Sequence, residues 1–407
     1  MRRIGAAVAV AVLVLGTASA TAKRRPLLAM VWDGSVVSLT WVDPVSVRSG
    51  GGPSLPIGEA YLVARSPRGV TLAFDTGRGA VLSFVGTRTL RLRGSVALGD
   101  GWIGAATWPS PRRLVAVVDS QSRSRVVTVD PATRKKLSDR SVADADLLGA
   151  AATPSRVVFV LGETSKIGPV RLGVAGTDGA IRTVLLSQIE GGFESPVDYT
   201  TGVAKTARPA LAVDPTGRRA AVVAASGLVA EVDLETLAVA YHPRAVRTPA
   251  RAGKAFEGWQ RSALWLPSGT IAVTGMDYHA TLKDGKEEMS GTPAGVTLVD
   301  TRDWTSTTID TGASFISRAG ATLVAYGGAY VSGSSSFATG IGLRGYSADG
   351  AVRFQLFGTE QLGDVQIAGG LVYVAGCNDR CFRIVDPVSG AVVGTAETVR
   401  TTRLVGL

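Results

Sequence analysis

The chain has 407 residues, is 45% hydrophobic but only 6% aromatic, carries 50 glycines, and has a formal net charge of +10. That balance suits many short strands joined by tight turns and leaves little room for helical faces. It permits contact with acidic surfaces. The arginines are scattered, however, without the basic stripe interleaved with aromatics that nucleic-acid grooves use, so specific nucleic-acid binding is not expected.

In chain order, Met1-Arg2-Arg3 precedes an apolar run from Ile4 to Gly16 and then the small residues Thr17-Ala18-Ser19-Ala20-Thr21-Ala22. These are the charged, apolar and small-residue regions of a secretory signal. The run is shorter than the ~20 residues that span a bilayer, and no Cys follows it to take a lipid. The expectation is a signal peptide over residues 1–22, cut near Ala20 or Ala22, and a secreted or extracytoplasmic bacterial protein. The mature chain should have no transmembrane span, and residues 23–407 should form one domain.

The mature part repeats a pattern clearest in Ile384-Val385-Asp386-Pro387-Val388-Ser389-Gly390-Ala391-Val392. Alternating apolar residues on both sides of an Asp turn describe two strands and their hairpin, with the Asp suited to accept from its own turn's N–H groups. Val-Asp recurs at Asp43, Asp130, Asp233 and Asp300. The gaps from Asp43 to Asp130 and from Asp300 to Asp386 are each about twice the forty-odd residues of a four-stranded propeller blade. Turns at Ser83–Thr87, Val174–Ala180 and Gly345–Ala351 fill the gaps and bring the count to eight, with seven as the alternative. The first module, from Leu27, lacks a leading strand, and Thr402 to Leu407 resembles one. A C-terminal strand should therefore close an all-β propeller.

Three motifs carry a family resemblance: Asp214-Pro215-Thr216-Gly217, Leu371-Val372-Tyr373-Val374-Ala375-Gly376 and Ile384-Val385-Asp386-Pro387. They resemble the repeats of the YVTN or quinoprotein-amine-dehydrogenase-like propellers, over nearly the whole mature chain. The resemblance implies a fold but no single activity, because that group holds surface-layer repeats, binding proteins and a few enzymes.

Five insertions stand out: residues 191–208, 245–261, 277–294, 327–340 and 377–381. By blade topology all lie at the end opposite the tight turns, and lengthened loops on a rigid scaffold favour function. They supply the candidate ligand-binding residues Tyr199, Phe256, Glu257, Trp259, Tyr278 and His279, flat aromatic surfaces among orienting charges. The recurrent aspartates are turn residues rather than catalytic ones. Only His242 and His279 exist as histidines, far apart, so no metal site is expected. No catalytic residue and no cofactor is assigned.

The expected function is an exported binding or interaction scaffold, monomeric, whose partner is a ligand, a cell-wall component or a protein. The alternative is a cofactor-dependent or lyase-type enzyme at the same face, in which His279 with Glu257 or Tyr278 serves as acid and base. Cys377 and Cys381 flank a hairpin tip and are the only cysteines, which points to a local structural disulfide in an exported chain.

Overall fold

The structure is a computed structural model that describes residues 25–405 except 35, 77–78, 121–122, 143–144, 196–202, 244–254, 284–285, 333–336, 363 and 377–379. Strands and turns make up the described residues, and no helix occurs among them. The candidate signal segment and Tyr199 lie outside the described residues.

The architecture is a β-propeller with six separate four-stranded antiparallel sheets. One sheet runs through Ala60–Arg65, Thr71–Thr76, Ala80–Gly86 and Leu92–Gly99, and the next through Trp102–Ser110, Arg113–Ser120, Arg123–Asp130 and Lys135–Val142. The remaining strands belong to a twelve-stranded sheet. The expectation of eight separate blades, or seven, is thereby corrected. Inside the large sheet the four strands from Ala145–Ala152 to Ile181–Glu194 keep the consecutive order of a blade. The strands Phe256–Trp265, Thr270–Lys283, Val296–Asp300 and Ser306–Asp310 do the same. They are not separate because three of these strands outgrow the blade. Ile181–Glu194 and Thr270–Lys283 have 14 residues and Phe256–Trp265 has 10, against a usual five or six, roughly. Their unpaired N–H and C=O groups are satisfied by further strands.

The Asp turns share one geometry. Asp43 accepts from the N–H groups of Val45 and Ser46 at 2.9 and 2.8 Å, and Asp233 from those of Glu235 and Thr236 at 2.9 and 2.7 Å. Asp130, Asp300 and Asp386 accept from the N–H two residues on in the same way. Four residues after each Asp the backbone turns left-handed, at Val47, Arg134, Leu237, Trp304 and Gly390, with φ between 53° and 73°. That residue donates its N–H back to the Asp carbonyl at 2.8–2.9 Å. The backbone donors of Ser46 and Val45 hold the Asp43 carboxyl below its usual range, and those of Thr236 and Glu235 do so for Asp233. At Asp300 the Arg302 side chain is the main cause and brings the value to about 2. These carboxylates are spent on their own turns.

Burial lies between neighbouring sheets. Leu114, Ala116 and Val118 pack with Leu82 and Phe84 of the preceding sheet, while Val115 and Val117 pack with Val157 and Phe159 of the following one. The same logic joins the ends of the chain. Thr402–Leu404 pairs antiparallel with Leu27–Asp33 in a four-stranded sheet. Leu27, Ala29 and Leu404 pack against Tyr373, Phe382 and Ile384 of the last sheet. Polar contacts pin this seam: the Tyr373 hydroxyl donates to the Pro44 carbonyl at 2.7 Å, and the Leu404 N–H donates to Gln366 Oε1 at 2.7 Å. Tyr373→Phe leaves the buried Pro44 carbonyl without this donor and should cost about 1–3 kcal/mol in urea unfolding. A midpoint equal to that of the wild type would show that the seam does not depend on this bond.

Candidate functional site

Among the described residues, four of the five expected loops contribute strands to the twelve-stranded sheet. The overhang of Ile181–Glu194 pairs with Ala204–Arg208, which runs parallel to Phe256–Trp265. Phe256–Trp265 pairs with Thr270–Lys283, then follow Lys286–Pro293, Gly328–Ser332 and Phe337–Gly340. These additions sit at the end away from the tight turns, because residues 261–265 run down to the Leu266–Gly269 turn while residues 256–260 overhang the other end. The Thr270–Lys283 strand changes partner between Val273, opposite Thr297, and Met276, opposite Pro293. Gly275 stands at that switch, where a Cβ would run into the Gln260 carbonyl. The fifth insertion stays a hairpin tip, with Arg380 N–H donating to Gly376 O at 3.1 Å and Cys381 paired with Gly376. Cys377 lies outside the described residues.

Register brings five of the six candidate residues onto two adjacent strands. Glu257 is directly opposite His279, Gly258 opposite Tyr278, and Trp259 opposite Asp277. The pleat then divides them, since successive residues point to opposite faces. Glu257, Trp259 and His279 share one face and Phe256 and Tyr278 the other, so all five do not line one concavity.

The first face is the drier one. Glu257 and Trp259 are buried, and His279 is half-buried. Lys205, opposite Glu257, extends this row onto the parallel strand. Two residues further down, the buried Arg261 and Asp277 make a charge contact of 2.8 Å between Nη1 and Oδ1. Arg261 also donates to the carbonyls of Gln260, Met276 and Ala225, at 3.1, 3.4 and 3.3 Å. The last bond ties the root of these added, overhanging strands, the side sheet, to a neighbouring blade.

On the second face Phe256, Tyr278 and Tyr330 are half-buried. Tyr278 pairs with Gly291, and Gly291 with Tyr330. The two tyrosine rings meet at 6.2 Å between centroids, tilted by 59°. Gly291 is what lets them approach, because a Cβ there would collide with the Tyr330 ring and come within 3.1 Å of the Met276 sulfur. Gly258 plays the same part for Phe256, whose ring would lie 2.8 Å from an added Cβ. Burial pushes both tyrosine hydroxyls up from their ordinary values, with Arg208 opposing at Tyr278 and Tyr278 adding to the effect at Tyr330. Both therefore stay neutral donors near pH 7. Tyr330 was not among the expected residues. Its signal, a Tyr two places from a Gly-Gly pair inside a long insertion, is weak without the strand pairing.

Trp265, near a first strand, is core and packs with Ala221, Val223 and Ile271. Trp102 is half exposed.

No protein-family model matches the chain, and no curated protein matches it in sequence. Solved structures share its fold. One is the dihydro-heme d1 dehydrogenase NirN in complex with DHE, at TM-score 0.54 and 13% identity, covering 93% of this chain and 74% of that one. Another is apo AztD from Citrobacter koseri, at TM-score 0.52 and 12% identity, covering 94% and 99%. At such identities the likeness is one of fold, and it places the chain among the β-propellers.

Removing Asp277 leaves the buried Arg261 charge without its counter-ion and with carbonyl acceptors alone. Asp277→Ala should lower the unfolding free energy by about 3–5 kcal/mol, read from chemical denaturation, and an effect below about 1 kcal/mol would mean that water already screens the pair.

Proposed function

We propose that the chain is an exported binding propeller of the YVTN-like kind, one domain over residues 23–407, which holds a cell-wall component on its side sheet. The observation that carries this reading is the cluster of Phe256, Tyr278 and Tyr330 on one face of that sheet. Rings already seated over glycines lose little freedom on binding, and aromatic side chains dominate such contacts. Neutral tyrosine hydroxyls add hydrogen bonds that suit the hydroxyl-rich surface of a cell-wall glycan. The five described candidate residues belong to this sheet, and Tyr199 lies outside the described residues.

Isolated cell-wall material should carry the purified protein into the pellet on centrifugation. The Tyr278→Ala, Tyr330→Ala double variant should bind about tenfold or more weakly, each ring being worth more than about 1 kcal/mol. Equal pelleting of the two proteins would reject this face as the binding surface.

A second reading rests on Glu257 standing directly opposite His279, the pair that a lyase-type or cofactor-dependent propeller would use as acid and base. Tyr278, on the other face, does not join them. An absorption spectrum and intact mass of the exported protein separate the readings, because a chromophore or an added mass would favour the enzyme.

The compartment proposal extends to Cys377 and Cys381. A bond between them closes the hairpin tip and contributes roughly 2 kcal/mol by chain entropy. Alkylation of the unreduced exported protein should label neither thiol, and labelling of both would refute the bridge.

A further inference from the structure

We infer that the tight-turn end of the propeller carries a second, independent binding site for a small organic anion, between the Ala60–Gly99 and Trp102–Val142 sheets. A cavity of about 520 Å³ opens there among the turns at Ser66–Val70, Pro111 and Pro131–Arg134, a volume within the usual range for small-molecule sites. It lies at the opposite end from the side sheet. Each turn that lines it joins successive strands of its own blade, and Thr87 N–H, from the neighbouring turn after Gly86, donates to Val70 O at 3.1 Å and braces the Ser66–Val70 turn.

The floor is apolar and ordered. Phe84 and Trp108 are buried and meet edge to face, with centroids 5.5 Å apart and planes at 67°. Val70, about half exposed at 52%, and prolines complete the apolar lining. The rim is cationic: Arg68, Arg93 and Arg134 line the cavity, and among the described residues no carboxylate does. Asp130, next to Pro131, accepts from the N–H groups of Ala132 and Thr133 and so is turned into its own loop.

Two of these arginines are laid in place by glycines. A Cβ at Gly86 would lie 2.8 Å from Arg93 Nε, and one at Gly94 would run into Arg134 Cδ. Arg134 Nη1 donates to the Arg93 carbonyl at 3.1 Å, which leaves its other donors for a ligand. Arg134 also occupies the left-handed position of the Asp130 turn, so the turn geometry itself aims the side chain. Preset guanidinium forks beside an aromatic floor recognise an oxyanion borne on a flat apolar group, with the forks binding the oxyanion and the floor taking the ring. The shared chemistry is a carboxylate or phosphate on an aromatic or aliphatic body.

Isothermal titration of the full mature chain with phenyl phosphate and with benzoate tests the site and separates the two oxyanions. At least one should bind with one-to-one stoichiometry and weaken as salt is raised. Inorganic phosphate, which lacks the ring, and benzyl alcohol, which lacks the charge, should each bind at least about tenfold more weakly. Arg93→Ala and Arg134→Ala, both at exposed side chains, should each reduce affinity about tenfold with the melting temperature preserved. Arg68→Glu, which reverses charge at the rim without touching the floor, should do at least as much. Absence of saturable binding by both aromatic anions up to about 10 mM would overturn the inference. So would affinity unchanged in the folded Arg93→Ala, Arg134→Ala double variant.

Discussion

The structure depends on one constraint: its inner strands are apolar on both faces. Leu114 to Val118 are all fully buried, and so are the Val157 to Val160 positions one sheet further on. A sheet built from such strands is stable only when a neighbour covers each side, at about 1.5–3 kcal/mol for every large apolar side chain removed from water. In an open row of sheets the first and last would each leave one face wet. The contacts of Leu27 and Ala29 with Tyr373 and Ile384, together with the pairing of Thr402–Leu404 beside Leu27–Asp33, remove that exposed face. The bonds Tyr373–Pro44 and Leu404–Gln366 then satisfy polar groups that the seam would otherwise bury unpaired.

The two ends of the propeller follow from how strands are terminated. At one end an Asp carboxylate collects the turn's N–H groups and a left-handed residue reverses the chain, so the turn is short and the strands stop together. At the other end no such device intervenes in the Ile181–Glu194, Phe256–Trp265 and Thr270–Lys283 strands, and their overhangs become a second sheet lying beside the ring. Backbone satisfaction forces the overhangs to pair. That pairing fuses what would otherwise be separate blades, and it fixes the spacing of every side chain it carries.

Each end thus acquires a different surface. The side sheet displays half-buried rings over glycines on one face and keeps its charges, Arg261 and Asp277, dry on the other. The turn end has little backbone of its own to display, and its chemistry comes from side chains that the turns orient, as Arg134 shows. Neutral hydroxyls and rings stand at one end and guanidinium groups over a Phe84–Trp108 floor at the other, so the two surfaces differ in chemistry.

The local grammar was legible from the amino-acid sequence alone: period-two alternation, Val-Asp followed by a turn, and the spacing of those turns determine strands, hairpins and a repeating β architecture. The resemblance of Thr402 to Leu407 to a leading strand pointed to the seam. These features are written in neighbouring residues, where propensity and turn chemistry act. What only the tertiary structure decided depends on pairing between distant segments. Nothing in residues 191–194, 204–208, 256–261, 277–283, 286–293, 328–332 and 337–340 read separately says that they join one sheet, because a strand's partner is chosen by unsatisfied backbone and register rather than by its own pattern. That choice replaced a count of separate blades by six and a fused sheet, and it set Tyr278 apart from His279 although they adjoin in sequence. It likewise gathered Arg68 and Arg134, each in a turn, and Arg93, near the start of the Leu92–Gly99 strand, around one cavity, since the neighbours of these segments are fixed only when the ring forms.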